Sequence, residues 1–216
     1  SVNLSFEEIA LFLYPGEQVT SEVSDRVKDW IYDHELVVRR GRGSRVCHPV
    51  IAEEFLRQNG LICPSKKENI RWDGTDGLLK LAIEFIDRMV DFYGPDSRRL
   101  NDVFHEIFTH RTVIYEEEPQ KFSVLLTWLY TRERCEVLLK HLAEAVSWNP
   151  HYKNHLARLY LYPVTSDQKQ VYPEPETALR YADEAIKCAK ELDNGGLSIH
   201  YHVQGKAYTK QCISKM

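Results

Sequence analysis

The chain has 216 residues, and a hydrophobic share of 43% is ample for one large or two small folded domains. Its net charge of -4 excludes a surface that is basic throughout, although charge can still gather locally. No stretch approaches the roughly 18 to 20 uninterrupted apolar residues that span a bilayer, and the first residues lack a basic-then-apolar secretory pattern, so a cytoplasmic protein that makes no membrane contact is expected.

The first element expected is a helix, because Phe6, Ile9, Ala10 and Leu13 recur at helical spacing, with Ser5 and Glu8 placed as a capping box and Pro15-Gly16 as a stop. Val23, Val27, Trp30 and Ile31 share one face of a second helix. Leu36 to Arg40 is an aliphatic and β-branched run, Gly41-Arg42-Gly43 a glycine turn, and Arg45 to Cys47 a returning strand, which together predict a hairpin. Pro49 then suits the first position of an amphipathic helix that runs through Leu56. Two helices followed by a two-stranded wing describe a winged helix over residues 1–59. Pro64, Ser65, Lys66-Lys67 and Asp73-Gly74 break all periodicity, so residues 60–75 are expected to be a connector.

From residue 76 to 216 the pattern is helical. Leu79, Ala82, Ile83, Ile86, Met89, Val90 and Tyr93 line one face until Gly94-Pro95, and Leu100, Val103, Phe104 and Ile107 line the next. Internal similarity follows, clearest from about residue 121. Ala157 and Tyr160 place a small residue three before an aromatic in the helix His151 to Tyr162. Ala178, Ala182 and Ala185 give the next helix a small face, Gly205 and Tyr208 restart the pattern, and Pro150 stands five residues after Ala145. These spacings resemble tetratricopeptide repeats, in which small residues allow close helix crossings. Ala157 to Gly205 spans 48 residues, against about 34 for such a repeat, and the surplus is assigned to a polar insertion from Pro163 to Pro175. The fold class expected is mainly α: an N-terminal winged helix with a small β-hairpin, then a tetratricopeptide-like helical array. Such arrays present a groove to segments of other proteins.

Motifs for chemistry are sparse. Cys47, Cys63, Cys135, Cys188 and Cys212 are odd in number and never spaced as CxxC, so reduced and mostly buried thiols are expected. His105 and His110 are five apart, a spacing that places them on different faces of an α-helix, and no metal site is assigned. His200 and His202 fall in a helical segment and are read as polar surface. No phosphate-binding Gly-x-x-x-x-Gly-Lys-Ser/Thr loop, nucleophile elbow or cysteine–histidine pair occurs, so no catalytic residue is assigned and the chain by itself is not expected to be an enzyme. Arg39, Arg40, Arg42 and Arg45 cluster on the expected wing and could touch nucleic-acid phosphates weakly, against the acids Glu22, Asp25, Asp29 and Asp33 of the preceding helix. His48, at the cap of the following helix, is the candidate anion contact, with a capping or core role as the alternative.

The order strand, Cys47-His48-Pro49-Val50-Ile51, helix and helical repeats resembles the C-terminal region of STAND-class signalling ATPases, which include NB-ARC and NACHT immune receptors and antiphage proteins. His48 matches the histidine of their Met-His-Asp motif, while Cys47 and Pro49 depart from it and His48-Pro-Val-Ile-Ala is nearer to a His-Pro-Leu-Ile-Ala variant. The resemblance implies that His48 contacts ADP in the resting state, that ADP or ATP is bound only by the parent protein, and that a P-loop ATPase domain lies upstream. A chain that begins at Ser1 without a methionine fits that expectation. It further implies a regulatory and sensor role in innate or antiphage defence, with a protein partner on the repeats. A winged-helix transcriptional regulator with a helical sensor domain is the alternative.

Overall fold

The structure is a computed structural model that describes residues 4–14, 17–33, 37–40, 43–46, 75–109, 122–164, 173–192 and 196–214. It is mainly helical, as expected, and divides into two compact units, Ser1–Ile107 and Phe108–Met216. Among the described residues no helix is long and apolar enough to cross a membrane.

In the first unit, α1 (Phe6–Leu13) carries the expected capping box in full: Ser5 Oγ accepts from the Glu8 amide, and the Glu8 carboxylate accepts from the Ser5 amide. Helix α2 (Ser21–Asp33) is capped by Thr20, whose hydroxyl accepts from the Val23 amide at 3.3 Å. Ala10, Val23 and Val27 form the small core between these helices, flanked by Phe6, Ile9, Tyr14 and Val19. Val37–Arg40 (β1) and Gly43–Val46 (β2) pair antiparallel, with Val37 opposite Val46 and Arg40 opposite Gly43. A winged helix also needs the helix expected from Pro49. That segment, and the connector up to residue 74, lie outside the described residues.

Helix α3 (Thr75–Tyr93) buries Leu78, Ala82, Phe85, Ile86 and Met89, a stripe turned slightly from the one expected, since Leu79, Ile83 and Val90 are only half-buried. Gly94, at φ +79°, ends it in the left-handed region that glycine enters without steric cost. Helix α4 (Arg98–Phe104) buries Leu100, Val103 and Phe104, and the Phe85 and Phe104 rings meet edge-on at 6.4 Å. It passes straight into a π-helical turn, His105–Thr109. The α-helical geometry used to separate His105 from His110 therefore does not hold there, because a π-turn bonds i to i+5; His110 itself lies outside the described residues.

One buried carboxylate ties this unit together. Glu8 is wholly enclosed and accepts hydrogen bonds from the Ser5 amide at 2.6 Å, Tyr93 Oη at 3.0 Å, and Arg99 Nε and Nη2 at 2.6 Å each. It thereby joins α1 to the end of α3 and the start of α4. Burial and then the Glu8 charge push the Tyr93 phenol up. Arg88 adds a second tie, donating to the Leu11 carbonyl at 3.0 Å.

The second unit is a run of helices: α5 (Val124–Leu129), α6 (Arg132–Ala145), α7 (Pro150–Leu159), α8 (Pro175–Glu191) and α9 (Leu197–Ser214). Ser123, Thr131 and Asn149 supply the side-chain caps of α5, α6 and α7, and Pro150 and Pro175 occupy first turns where no amide partner is needed. Helices α6 and α7, α7 and α8, and α8 and α9 pack pairwise, and α9 also returns to α7. Ala157, Ala178, Ala182 and Ala185 are completely buried, as the small-residue pattern predicts.

The last helix departs from that pattern. Gly205 is exposed, with no atom within 4 Å of where a Cβ would stand, and Tyr208 is half-exposed, whereas Ala157 and Tyr160 are enclosed. Among the described residues nothing covers that side of α9, and Ala207 is its small buried residue instead.

The polar insertion falls between α7 and α8, and its two ends are fastened together. The Glu174 amide donates to the Tyr160 carbonyl at 2.8 Å, and Arg132 binds the Glu174 carboxylate at 2.5 Å while lying 5.3 Å from the Tyr160 ring centroid. Tyr160 in turn stacks on Tyr181 at 5.9 Å.

Three substitutions test this packing. Arg99→Ala is expected to destabilise the fold by about 3 kcal/mol, because it leaves the Glu8 carboxylate buried and short of its main partner. Glu8→Gln should cost less, since the Arg99 side chain is 42% exposed and can turn to water. Urea denaturation of both variants checks the order, and the reverse order would contradict the argument. Gly205→Ala is expected to stabilise by about 0.5 to 1 kcal/mol, from helix propensity in open space, read as a rise in thermal midpoint.

Candidate functional site

The residues singled out on sequence lie mainly beyond what the structure describes. His48 and Arg42 fall outside the described residues. Arg39 and Arg40 lie on β1 and Arg45 on β2, where Arg39 pairs with Ser44, Arg40 with Gly43 and Arg45 with Val38. The acidic character of α2 is direct: Glu22, Asp25, Asp29 and Asp33 are all exposed, and the Arg26 guanidinium is engaged by Glu17 at 2.6 Å.

The described residues offer a different site, in the second unit. Packing α9 back onto α7 leaves a groove of about 290 Å³ between them. From α7 and the turn after it come Asn154, Arg158, Leu161 and Tyr162; from α9 come Ile199, His202, Val203 and Lys206. Asn154 and Arg158 stand four apart on α7, as do Ile199 and Val203, and His202 and Lys206, on α9, so each helix turns one face to the groove. Leu161 and Val203 are buried and form the floor, while His202 and Lys206 are exposed at the rim. The Arg158 guanidinium lies 5.7 Å from the Phe122 ring centroid, and Lys210 Nζ lies 6.0 Å from that of Tyr162. Among the described residues no Asp or Glu lines the groove. Asn154 is only 3% exposed, and its Oδ1 has no hydrogen-bond partner among the described residues.

Beneath this groove the expectation for the His200-Tyr201-His202 segment is corrected. His202 is exposed as expected, but His200 is completely buried, because the two residues lie about 200° apart around the helix. Neither ring nitrogen of His200 has a hydrogen-bond partner among the described residues, and its ring stands 5.2 Å from that of His151. Burial and then the neighbouring His151 lower the His200 pKa to about 4, so the ring is neutral near pH 7. Two histidines are too few for an ordinary metal site. No group of three or more His, Cys, Asp or Glu among the described residues could hold a metal ion.

Two of the three described thiols are buried. Cys135 is buried and donates to the Leu126 carbonyl at 3.2 Å, and burial pushes its pKa far up; Cys188 is buried beside the Ser147 carbonyl, and Cys212 is exposed. A second polar cluster stands on α6, where Lys140 binds Glu136 at 2.6 Å. Burial alone would raise the Glu136 carboxyl, but hydrogen bonds from Lys140 and Tyr160 outweigh it and hold the group low. This cluster is satisfied by its own charges.

Sequence reasoning did not find Asn154, Arg158 or Lys206. Their four-residue spacing was present as a signal, but only the return of α9 to α7 tells which two helices share a groove.

The burial of neutral His200 makes a pH prediction. Its folded pKa lies below the ordinary value of about 6.5, so below that pH the unfolded chain takes up a proton that the folded chain refuses. Its contribution to stability is therefore fully present above about pH 6.5 and is lost as the pH falls toward 4, with a slope of at most about 1.4 kcal/mol per pH unit. Measured against His200→Leu, which does not titrate, wild type should lose stability as the pH falls between these limits; parallel denaturation profiles would contradict it.

Comparison with protein-family models, with curated proteins and with solved structures gives no match to this chain.

Proposed function

We infer that the chain is a non-catalytic regulatory region of a STAND-type ATPase, in which a winged helix completes an ADP/ATP switch and the helical array receives a protein partner. The observation that carries this reading is the chain order: β2 ends at Val46, Cys47-His48-Pro49 follows at once, and a close-packed helical array with fully buried alanines comes after. The sequence position of His48, directly after a paired strand and before Pro49, suits a ring that meets a phosphate at a helix start. A P-loop domain upstream supplies the nucleotide contacts that this sequence lacks. Innate or antiphage defence is the setting to which the resemblance points.

The nucleic-acid reading is the weaker one. A duplex approached by α2 would meet four exposed carboxylates, and like charge repels the phosphate backbone. The arginines at 39, 40, 42 and 45 then allow at most weak contacts that salt removes.

The test uses the full-length parent protein. His48→Ala is expected to speed ADP release by about tenfold or more, the equivalent of one charge-assisted hydrogen bond of roughly 1.5 to 3 kcal/mol, and to raise basal signalling. The melting temperature of the variant is measured in parallel. Unchanged ADP release with a lowered melting temperature would make His48 a packing residue and overturn the sensor role.

A further inference from the structure

We propose that the uncovered face of α9 is closed by the same face of a second copy of this chain, the two α9 helices crossing antiparallel at Gly205 to form a two-fold symmetric dimer. The inference goes beyond the role inferred for His48 and does not rest on it.

The face is built for a close helix crossing that no described residue supplies. Leu197, Tyr201, Gln204, Gly205, Tyr208 and Cys212 fall within about 100° of arc on α9. Tyr201 and Tyr208 are about half exposed, and no atom lies within 4 Å of where a Gly205 Cβ would stand. The stripe carries no charge. Both lysines of the helix turn elsewhere, Lys206 to the groove beside α7 and Lys210 to the Tyr162 ring at 6.0 Å. Two aromatic rings flanking a glycine leave a notch between them, and a notch of that shape admits a helix.

The order of the residues selects the occupant. From Leu197 to Cys212 the intervals are four, three, one, three and four, the same read in either direction. A two-fold interface needs that property, because residue i of one copy meets residue j of the other while j meets i. With the axis between Gln204 and Gly205, each Tyr201 meets the Tyr208 of the second copy, each Gly205 meets a Gln204, and each Leu197 meets a Cys212. A partner of unrelated sequence has no use for a stripe that reads the same in both directions.

Charge on α8 fits the same axis. This helix runs beside α9 so that Gln204 Nε2 donates to Asp183 at 2.6 Å and Gln211 Nε2 to Glu176 at 3.5 Å, while Lys190 Nζ stands 5.8 Å from the Tyr201 ring centroid. Asp183 is thus level with the centre of the stripe. Glu176 lies seven residues before it and Lys190 seven after, all three exposed and about two turns apart on one helix face. Turning the second copy end for end about that centre brings each Glu176 to a Lys190, and the pair occurs twice. The two Asp183 carboxylates come nearest at the axis, where each is already bonded by its own Gln204.

Sedimentation equilibrium of the purified chain over a range of concentrations tests this. A reversible monomer–dimer equilibrium is expected with no larger species, since a two-fold contact closes on itself. Gly205→Gln fills the notch at a position open within its own chain, and should weaken the dimer about tenfold or more. Its thermal midpoint at low concentration is the control on folding and should not fall. Glu176→Lys and Lys190→Glu should each weaken the dimer about tenfold, and the double variant should restore it to within about threefold of wild type. Because Lys190 also lies over the Tyr201 ring, that rescue is the decisive reading, which lost packing alone would not give. A chain that stays monomeric up to about 1 mM, species larger than a dimer, indifference to Gly205→Gln, or a double variant no better than either single one would overturn the proposal.

Discussion

Close approach of helices is the constraint on which the second unit depends. Ala157 on α7 and Ala178, Ala182 and Ala185 on α8 have no exposed surface, and a methyl side chain is what lets two helix axes come near the short end of the usual 8 to 10 Å range. Once α8 is drawn tightly onto α7, α9 packs on α8 and still reaches α7. The groove is the space left by that return. A larger residue at any of these alanines would push α8 out and change the width of a site to which it contributes no lining atom, since interiors packed to crystal density have nowhere to absorb extra volume.

The insertion between α7 and α8 could have undone this arrangement, since a long connection adds closure entropy and freedom to the helices it joins. It does not, because the tie between the Tyr160 carbonyl and the Glu174 amide closes the loop at its base. Arg132 reinforces the tie from a third helix by holding Glu174 and covering Tyr160. The guanidinium is mostly buried, at 12% side-chain exposure, so these contacts are screened less than surface pairs are. Loop closure costs grow only slowly with length, which is why a segment fastened at both ends can carry extra residues without loosening the helices. In the first unit the Glu8 carboxylate has the same part, joining three helices through four hydrogen bonds around one buried charge.

What the sequence made legible, and what it did not, follows from the range of the interactions. The capping box at Ser5 and Glu8, the glycine stop at Gly94, the buried alanines and the place of the insertion are set by residues within a few positions of each other, and pattern reading recovers them. The second role of Glu8 was hidden, because its partners Tyr93 and Arg99 are more than eighty residues away. The π-turn at His105–Thr109 was missed since nothing in local spacing distinguishes it from a continuing α-helix. Gly205 and Tyr208 read as a repeat, but a motif reports the capacity for a close crossing and not the presence of a helix to cross. His200 was misplaced for a similar reason: a histidine adjoining tyrosine and histidine looks polar, and only packing shows that it faces inward.

That inward histidine also explains how the groove face of α9 is set. His200, Val203 and Ala207 form the buried row, at offsets of three and four, and Ile199, His202 and Lys206 form the groove row at the same offsets, one residue earlier. One residue is about 100° around a helix, so a slip of α9 by a single position would turn the groove row inward and carry the Lys206 ammonium into the core. A buried, unpaired ammonium costs several kcal/mol, whereas a buried neutral imidazole without its hydrogen bonds costs roughly 1 to 3 kcal/mol. The observed rotation is the less costly of the two. The same difference that encloses His200 therefore holds Lys206 at the rim of the groove, in the wall opposite Arg158.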